Sequence, residues 1–168
     1  MPRGEPLVGC LPNSVKAEGL NPMDFKQISE SYAAKGQVFP QEMSEIAELG
    51  FKTVINNRPD GEEAGQPAAD DLKAAAEAAG LSYVFIPITL PTLSPELVTQ
   101  HHAAIKASDG PVFAFCRSGT RSTILWALTQ VCFNGKSISE VTSAAGREGY
   151  DLSGMAPLLE GYREALAE

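Results

Sequence analysis

Apolar residues along this chain come in short runs that alternate with longer stretches of helical spacing. Phe51-Lys52-Thr53-Val54-Ile55, Ser82-Tyr83-Val84-Phe85-Ile86-Pro87-Ile88 and Val112-Phe113-Ala114-Phe115 are of strand length and rich in β-branched and aromatic residues, and they predict three strands. Residues 30–39 end in Gln37-Val38-Phe39 and predict a short edge strand. Met43, Ile46, Ala47 and Leu49 recur at the spacing of a helix that starts at Pro40 and stops at Gly50. A second helix is predicted over 67–79, closed by Gly80, and a third over 95–107, with Ser94 as cap and Pro95 at the first position. The apolar positions from Thr123 to Leu128 open a helix after Ser122, and helical segments near 137–147 and 155–167 follow. Strand and helix thus alternate with short connections, which implies an α/β fold with a mainly parallel central sheet flanked by helices. Ligands bind such sheets at the carboxyl ends of the strands. Three loops are expected to meet there: 116–121, 56–66 and 87–94.

Composition narrows the class. The 168 residues suffice for one domain with a substantial core, and no apolar run approaches the length of a membrane-spanning helix. Residues 1–22 carry Pro2, Pro6, Pro12, Pro22 and several glycines without a sustained period, and read as a flexible extension. Residues 23–168 then form a single catalytic domain, with Met23 as an alternative start. No basic region followed by an apolar core marks a secretory signal. Cys10, Cys116 and Cys132 make neither a disulfide framework nor a metal-ligand spacing, so no metal or cofactor is expected and a cytoplasmic setting fits. A net charge of −8 argues against nucleic acid as a partner. An anionic substrate must therefore find a local positive pocket.

Residues 111–122 supply one. The apolar run Pro111-Val112-Phe113-Ala114-Phe115 ends in Cys116; the polar loop Arg117-Ser118-Gly119-Thr120-Arg121 follows, and Ser122 opens the next helix. Backbone N–H groups of such a loop, with those of the helix start, cradle an anion. Arg117 and Arg121 add positive charge, and the field that binds an oxyanion also favours a thiolate over a thiol. One loop thus offers a nucleophile and a binding site for a tetrahedral anion. The bland alternative, a buried strand-end cysteine before a capped helix, leaves both arginines and the glycine unexplained.

The same loop resembles two groups of proteins. Cysteine-dependent phosphatases separate the cysteine and arginine by five residues and usually place histidine before the cysteine. Rhodanese-like sulfurtransferases carry a shorter loop, often Cys-Arg-Ser-Gly-x-Arg-Ser. Here four residues separate Cys116 from Arg121, and Phe115 precedes the cysteine. Beyond the loop, Thr53-Val54-Ile55-Asn56-Asn57-Arg58-Pro59-Asp60-Gly61-Glu62-Glu63, Pro87 and Gly149-Tyr150-Asp151-Leu152 make the chain from about residue 23 onward resemble the beta-lactamase hydrolase-like family, in its phosphatase-like domain. That resemblance implies the fold of dual-specificity cysteine phosphatases and a functional link to a metallo-β-lactamase-like persulfide dioxygenase. Members of the family are described as phosphatases and as sulfurtransferases.

Leaving-group chemistry separates the two activities. Phosphate ester hydrolysis expels an oxygen that needs a proton. In dual-specificity phosphatases an aspartate on the loop before the cysteine strand supplies it. The matching stretch here, Ile86-Pro87-Ile88-Thr89-Leu90-Pro91-Thr92-Leu93-Ser94, holds no carboxylate. Glu96 lies in a predicted helix; Asp60, Glu62 or Glu63 could reach in from the neighbouring loop, with Asp60 the best substitute. Sulfane sulfur transfer expels sulfite or a thiolate and needs no acid. The sequence therefore favours a sulfurtransferase: Cys116 takes sulfur from thiosulfate or a persulfide, Arg117 and Arg121 bind the anion, and a thiol such as glutathione accepts the sulfur. Gly119 frees the backbone, Ser118 and Thr120 line the cradle, and Ser122 caps the helix or hydrogen-bonds Cys116. The alternatives are a phosphatase working through phosphocysteine and, from another class, a non-catalytic anion-binding module.

Other residues invite plainer readings. Turn chemistry explains Asp60 and Gly61, whereas Arg58 offers a second cation beside the cradle. His101 and His102 point about 100° apart on a helix and cannot share a metal; a surface or half-buried place is expected for them. Cys132 and Trp126 read as core residues, and Tyr150 and Asp151 as turn residues with a supporting role open.

Overall fold

A computed structural model describes residues 24–167; the extension expected over residues 1–22 lies outside them. Five strands, β1 (Lys26–Ser29), β2 (Tyr32–Lys35), β3 (Thr53–Asn56), β4 (Ser82–Phe85) and β5 (Val112–Phe115), form one sheet in the order β1-β2-β5-β3-β4. β1 pairs antiparallel with β2, and every other neighbouring pair is parallel. Among the described residues six helices flank it: α1 (Met43–Glu48), α2 (Ala69–Ala78), α3 (Pro95–Ala107), α4 (Thr120–Phe133), α5 (Ile138–Arg147) and α6 (Ala156–Leu166).

The two-residue period of the strands sorts their side chains into two cores. Val112 and Ala114 join Tyr32, Ala34 and Ile55 under α3, α4, α5 and α6. Phe113 and Phe115 face the other way with Ala33 and Val54, against Met43 and Ile46 of α1 and Leu72 and Ala76 of α2. Burial on both faces is what a parallel sheet requires, and it explains why β5 is an unbroken apolar run. α4 is the central helix, buried from Ser122 through Thr129 and packed on α3, α5, α6 and β2.

The edge strand expected over residues 30–39 forms only over Tyr32–Lys35, and not at the edge. Its apolar end, Gln37-Val38-Phe39, is not strand; a hairpin lies upstream, with β1 at the edge and β2 an interior strand beside β5. The chain leaves the sheet at Gly36, where Gln37 N donates to Arg117 O at 3.3 Å. A Cβ at Gly36 would stand 2.8 Å from that oxygen. β4 is also shorter than its apolar pattern, ending before Pro87, although Ile86 N and Ile88 N still donate to Asn56 O and Asn57 O. Pro40 starts a 3-10 turn (Pro40–Glu42) rather than α1 itself, and α4 begins at Thr120, ahead of Ser122.

Candidate active site

The carboxyl ends of β2, β5 and β3 fix the Cys116 loop. Cys116 N donates to Lys35 O at 3.3 Å, and Asn57 N donates to Phe115 O at 2.8 Å, so the loop is stitched to the strand on either side. Inside the loop Gly119 N donates to Cys116 Sγ at 3.1 Å. Gly119 holds φ at 96°, the left-handed region that a residue with a Cβ resists. Cys116 itself is fully buried at 0% exposure, whereas Arg117, Ser118 and Thr120 are exposed. Ser118 Oγ donates to Thr120 Oγ1 at 3.1 Å, and Thr120 N to Ser118 Oγ at 3.4 Å, a local bond across the loop's outer turn.

The three expected loops do meet, and Arg121 joins them. Its Nη1 donates to Ile88 O at 2.7 Å and to Glu62 Oε2 at 2.8 Å, while Nη2 donates to Glu62 Oε1 at 2.9 Å. A hydrogen bond to the Glu62 carboxylate, then the nearby Cys116 sulfur, holds the Arg121 guanidinium more firmly charged than usual. Arg58 is 2% exposed and gives its three nitrogens to Glu62 (2.8 Å), Gln37 Oε1 (2.8 Å) and Glu63 (3.0 Å). Burial alone would lower its basicity; the bonds to Glu62 and Glu63 more than offset that. Arg117 Nη2 closes the series on Glu63 at 3.4 Å. The result is a chain, Arg121–Glu62–Arg58–Glu63–Arg117, in which three guanidinium groups alternate with two carboxylates. Arg121 above all pulls the Glu62 carboxyl down to about 2.

Two expectations about individual residues are corrected. Asp60, expected as the substitute acid, turns one oxygen away to a structural bond: its Oδ1 accepts from Ala69 N at 2.8 Å and caps α2, whose own N-cap residue is Ala68 and has no side-chain acceptor. Ser122 neither caps α4 nor bonds Cys116. Its hydroxyl donates its one proton to Asn57 Oδ1 at 2.7 Å, and Gly119 occupies the N-cap.

A buried polar chain that the local sequence pattern barely announces lies behind the loop. Asn57 Nδ2 donates to Ile86 O at 3.0 Å. Tyr32 Oη donates to Ser122 O at 2.7 Å, which leaves His101 Nε2 to donate to Tyr32 Oη at 3.0 Å. His101 is 0% exposed, deeper than a half-buried place, and burial lowers its imidazole to about 3. The only sequence signal for this network was an asparagine pair at the end of a strand. Among the described residues no group of three or more His, Cys, Asp and Glu is placed to hold a metal, and no helix is long and apolar enough to cross a membrane.

This arrangement, a strand-loop-helix with a cysteine sulfur facing an inward amide and an arginine at the helix start, has relatives. Residues 24–133 match the family model described as "Beta-lactamase hydrolase-like protein, phosphatase-like domain". The chain belongs to this family. It is 35% identical over 138 residues to the beta-lactamase hydrolase-like protein of Agrobacterium fabrum, covering 82% of this chain and 32% of that one. The chain thus spans about a third of the length of the curated relatives it matches. A crystal structure of a proposed phosphatase from Neisseria meningitidis superposes with a TM-score of 0.73 at 30% identity, covering 82% of this chain and 97% of that one. TpbA of P. aeruginosa, solved as a C132S variant with phosphotyrosine, gives a TM-score of 0.62 at 16% identity over 93% of this chain and 98% of that one, a likeness of fold. The family has the cysteine-phosphatase fold, and these relatives support the phosphatase reading of the sequence better than sulfur transfer.

Proposed function

We propose that the protein is a cysteine-dependent group-transfer enzyme for small tetrahedral anions, and, in the reading its relatives support best, a phosphatase that works through phosphocysteine. One observation carries the proposal: Gly119 N–H points at Cys116 Sγ from 3.1 Å, with the Arg121 guanidinium beside the same sulfur. Donors that face a sulfur in the resting loop will face the oxygens of an anion seated there. In this mechanism Sγ attacks phosphorus and the ester P–O bond breaks. The leaving oxygen takes the electron pair, and Arg121 with the loop amides stabilises the equatorial oxygens. Water then attacks the phosphocysteine, releases phosphate and restores the thiolate.

The carboxylates of the site restrict the leaving group. Glu62, drawn down to about 2 by Arg121, carries no proton at neutral pH in the resting site, where it accepts from Arg121 and Arg58. Glu63 is engaged by Arg58 and Arg117, and Asp60 by α2. Residues 86–94 contain no acid. Substrates should be those whose leaving group departs without a proton, such as aryl phosphates with electron-poor rings.

The same missing acid favours a second reading. Sγ attacks the outer sulfur of thiosulfate, the S–S bond breaks, and sulfite leaves with the electron pair without needing a proton. The resulting cysteine persulfide passes its sulfur to a thiol such as glutathione.

Purified protein should be mixed separately with an aryl phosphate and with thiosulfate, and its intact mass and released products followed. Aryl phosphate turnover abolished by Cys116→Ser establishes the phosphatase. A gain of one sulfur atom on Cys116, with persulfide formed on adding glutathione, establishes the sulfurtransferase. Anion binding with no covalent change in either arm overturns both readings in favour of a binding module.

A further inference from the structure

One side chain from a distant part of the sequence reaches the outer face of the Cys116 loop. Tyr150 stands in the connection after α5, anchored by its own N–H on Ala145 O at 2.9 Å, and its hydroxyl donates to Ser118 O at 3.3 Å. The same hydroxyl abuts Gly119: a Cβ built there would lie 2.1 Å from Tyr150 Oη and 2.9 Å from Cζ. Ser118 C=O and Gly119 N–H are the two ends of one peptide unit, and in a trans peptide they point in opposite directions. The N–H end of this unit is the one that donates to Cys116 Sγ at 3.1 Å.

We propose that Tyr150 is a positioning residue that pins the Ser118–Gly119 peptide from outside, so that its N–H stays turned toward the Cys116 sulfur. The proposal rests on Cys116 being the nucleophile. The need for a pin follows from the glycine. With no Cβ on Gly119, this peptide can rotate at little cost, and a half turn would present the Ser118 carbonyl oxygen to the sulfur. An acceptor would then stand where a donor is required, repelling thiolate and bound oxyanion alike. The neighbouring carbonyls are already held: Arg117 O by Gln37 N at 3.3 Å, and Gly119 O by Thr123 N at 3.0 Å and Thr123 Oγ1 at 2.8 Å. Ser118 O is held by Tyr150. Burial, and next the Cys116 sulfur, raises the Tyr150 hydroxyl above its ordinary range, so it remains a donor throughout the neutral region.

The test compares wild type with Tyr150→Phe, which keeps the ring and removes the hydroxyl. Two readouts are taken: the Gly119 amide resonance by 15N–1H NMR, and the affinity for inorganic phosphate, measured as protection of Cys116 from iodoacetamide. The Gly119 resonance should move away from its sulfur-bonded position, and phosphate affinity should fall about tenfold, with the thermal midpoint close to that of wild type. An unmoved Gly119 resonance with wild-type phosphate affinity overturns the proposal, as does a loss of thermal stability with the resonance in place. Should Tyr150→Phe not fold, Tyr150→Leu carries the same comparison. The amide readout needs neither ligand nor turnover, so a failure of this proposal is told apart from a failure of the group-transfer reading.

Discussion

Glu62 grips Arg121 with both carboxylate oxygens, at 2.8 and 2.9 Å, in the geometry the arginine would otherwise offer an incoming anion. The resting site therefore holds an internal anion, and substrate must displace it or share the guanidinium. Glu62→Gln removes the competing charge while Arg121 keeps its bond to Ile88 O at 2.7 Å. Inorganic phosphate should bind the variant more tightly, by roughly fivefold or ~1 kcal/mol, the scale of a partly exposed ion pair. Weaker binding would show that Glu62 aims the arginine rather than competes for it.

The same pair sets a pH dependence. Folding lowers the Glu62 carboxyl from its ordinary 4.5 to about 2, so its stabilising effect is complete above the higher value and is lost as pH falls toward the lower one. Acid unfolding followed by circular dichroism should be less steep in this window for Glu62→Gln than for wild type.

Ser122 gives its proton to Asn57, not to Cys116, which makes it a structural link between α4 and the β3 loop. Ser122→Ala leaves the buried Asn57 Oδ1 without that donor. We expect a loss of about 1–3 kcal/mol in urea unfolding. Reactivity of Cys116 toward iodoacetamide should change little by comparison. A large fall in reactivity at unchanged stability would mean the serine hydroxyl reaches the sulfur after all.

At Gly119 an added methyl meets Tyr150 Oη at 2.1 Å and Lys35 backbone carbon at 3.3 Å, at a φ of 96° that side chains resist. The left-handed conformation alone costs roughly 1–2 kcal/mol. Gly119→Ala should therefore lower the thermal midpoint and shift the Tyr150 ring resonances. Serine or alanine at Gly61, which has open space around it, should leave those resonances unchanged.

His101 supplies a second acid-sensitive group. Burial lowers its imidazole from 6.5 to about 3, so the unfolded chain binds the extra proton first and stability is lost as pH drops from the higher value toward the lower. Its Nδ1 is buried without a hydrogen-bond partner among the described residues, and its Nε2 bonds Tyr32. His101→Leu loses the Tyr32 bond and should be less stable at pH 7, but its stability should vary less across this range. Parallel titration curves for the two proteins would refute the assignment.

The local pattern of the chain decided a good deal. β5 is legible as a strand because burial on both faces makes an unbroken apolar run, and the start of α3 is legible because Ser94 and Pro95 satisfy a helix start locally. The order cysteine, glycine, arginine, helix marks the loop as the candidate site, since those residues lie within six positions of one another. Alternation of strand and helix then brings the three loops to the carboxyl end of the sheet, where Arg121 joins them.

Where partners are far apart in sequence, only the tertiary structure could decide. Asp60 and Glu62 are two residues apart on the same polar loop, yet one caps α2 and the other binds Arg121, because the loop's path aims adjacent carboxylates at different elements. Tyr150 comes to Gly119, and His101 through Tyr32 to Ser122, along contacts that span many tens of residues. A one-dimensional pattern records the period of each element and the residues it carries. It does not record which turn of one element packs on which loop of another, because that follows from how all the apolar faces are buried at once.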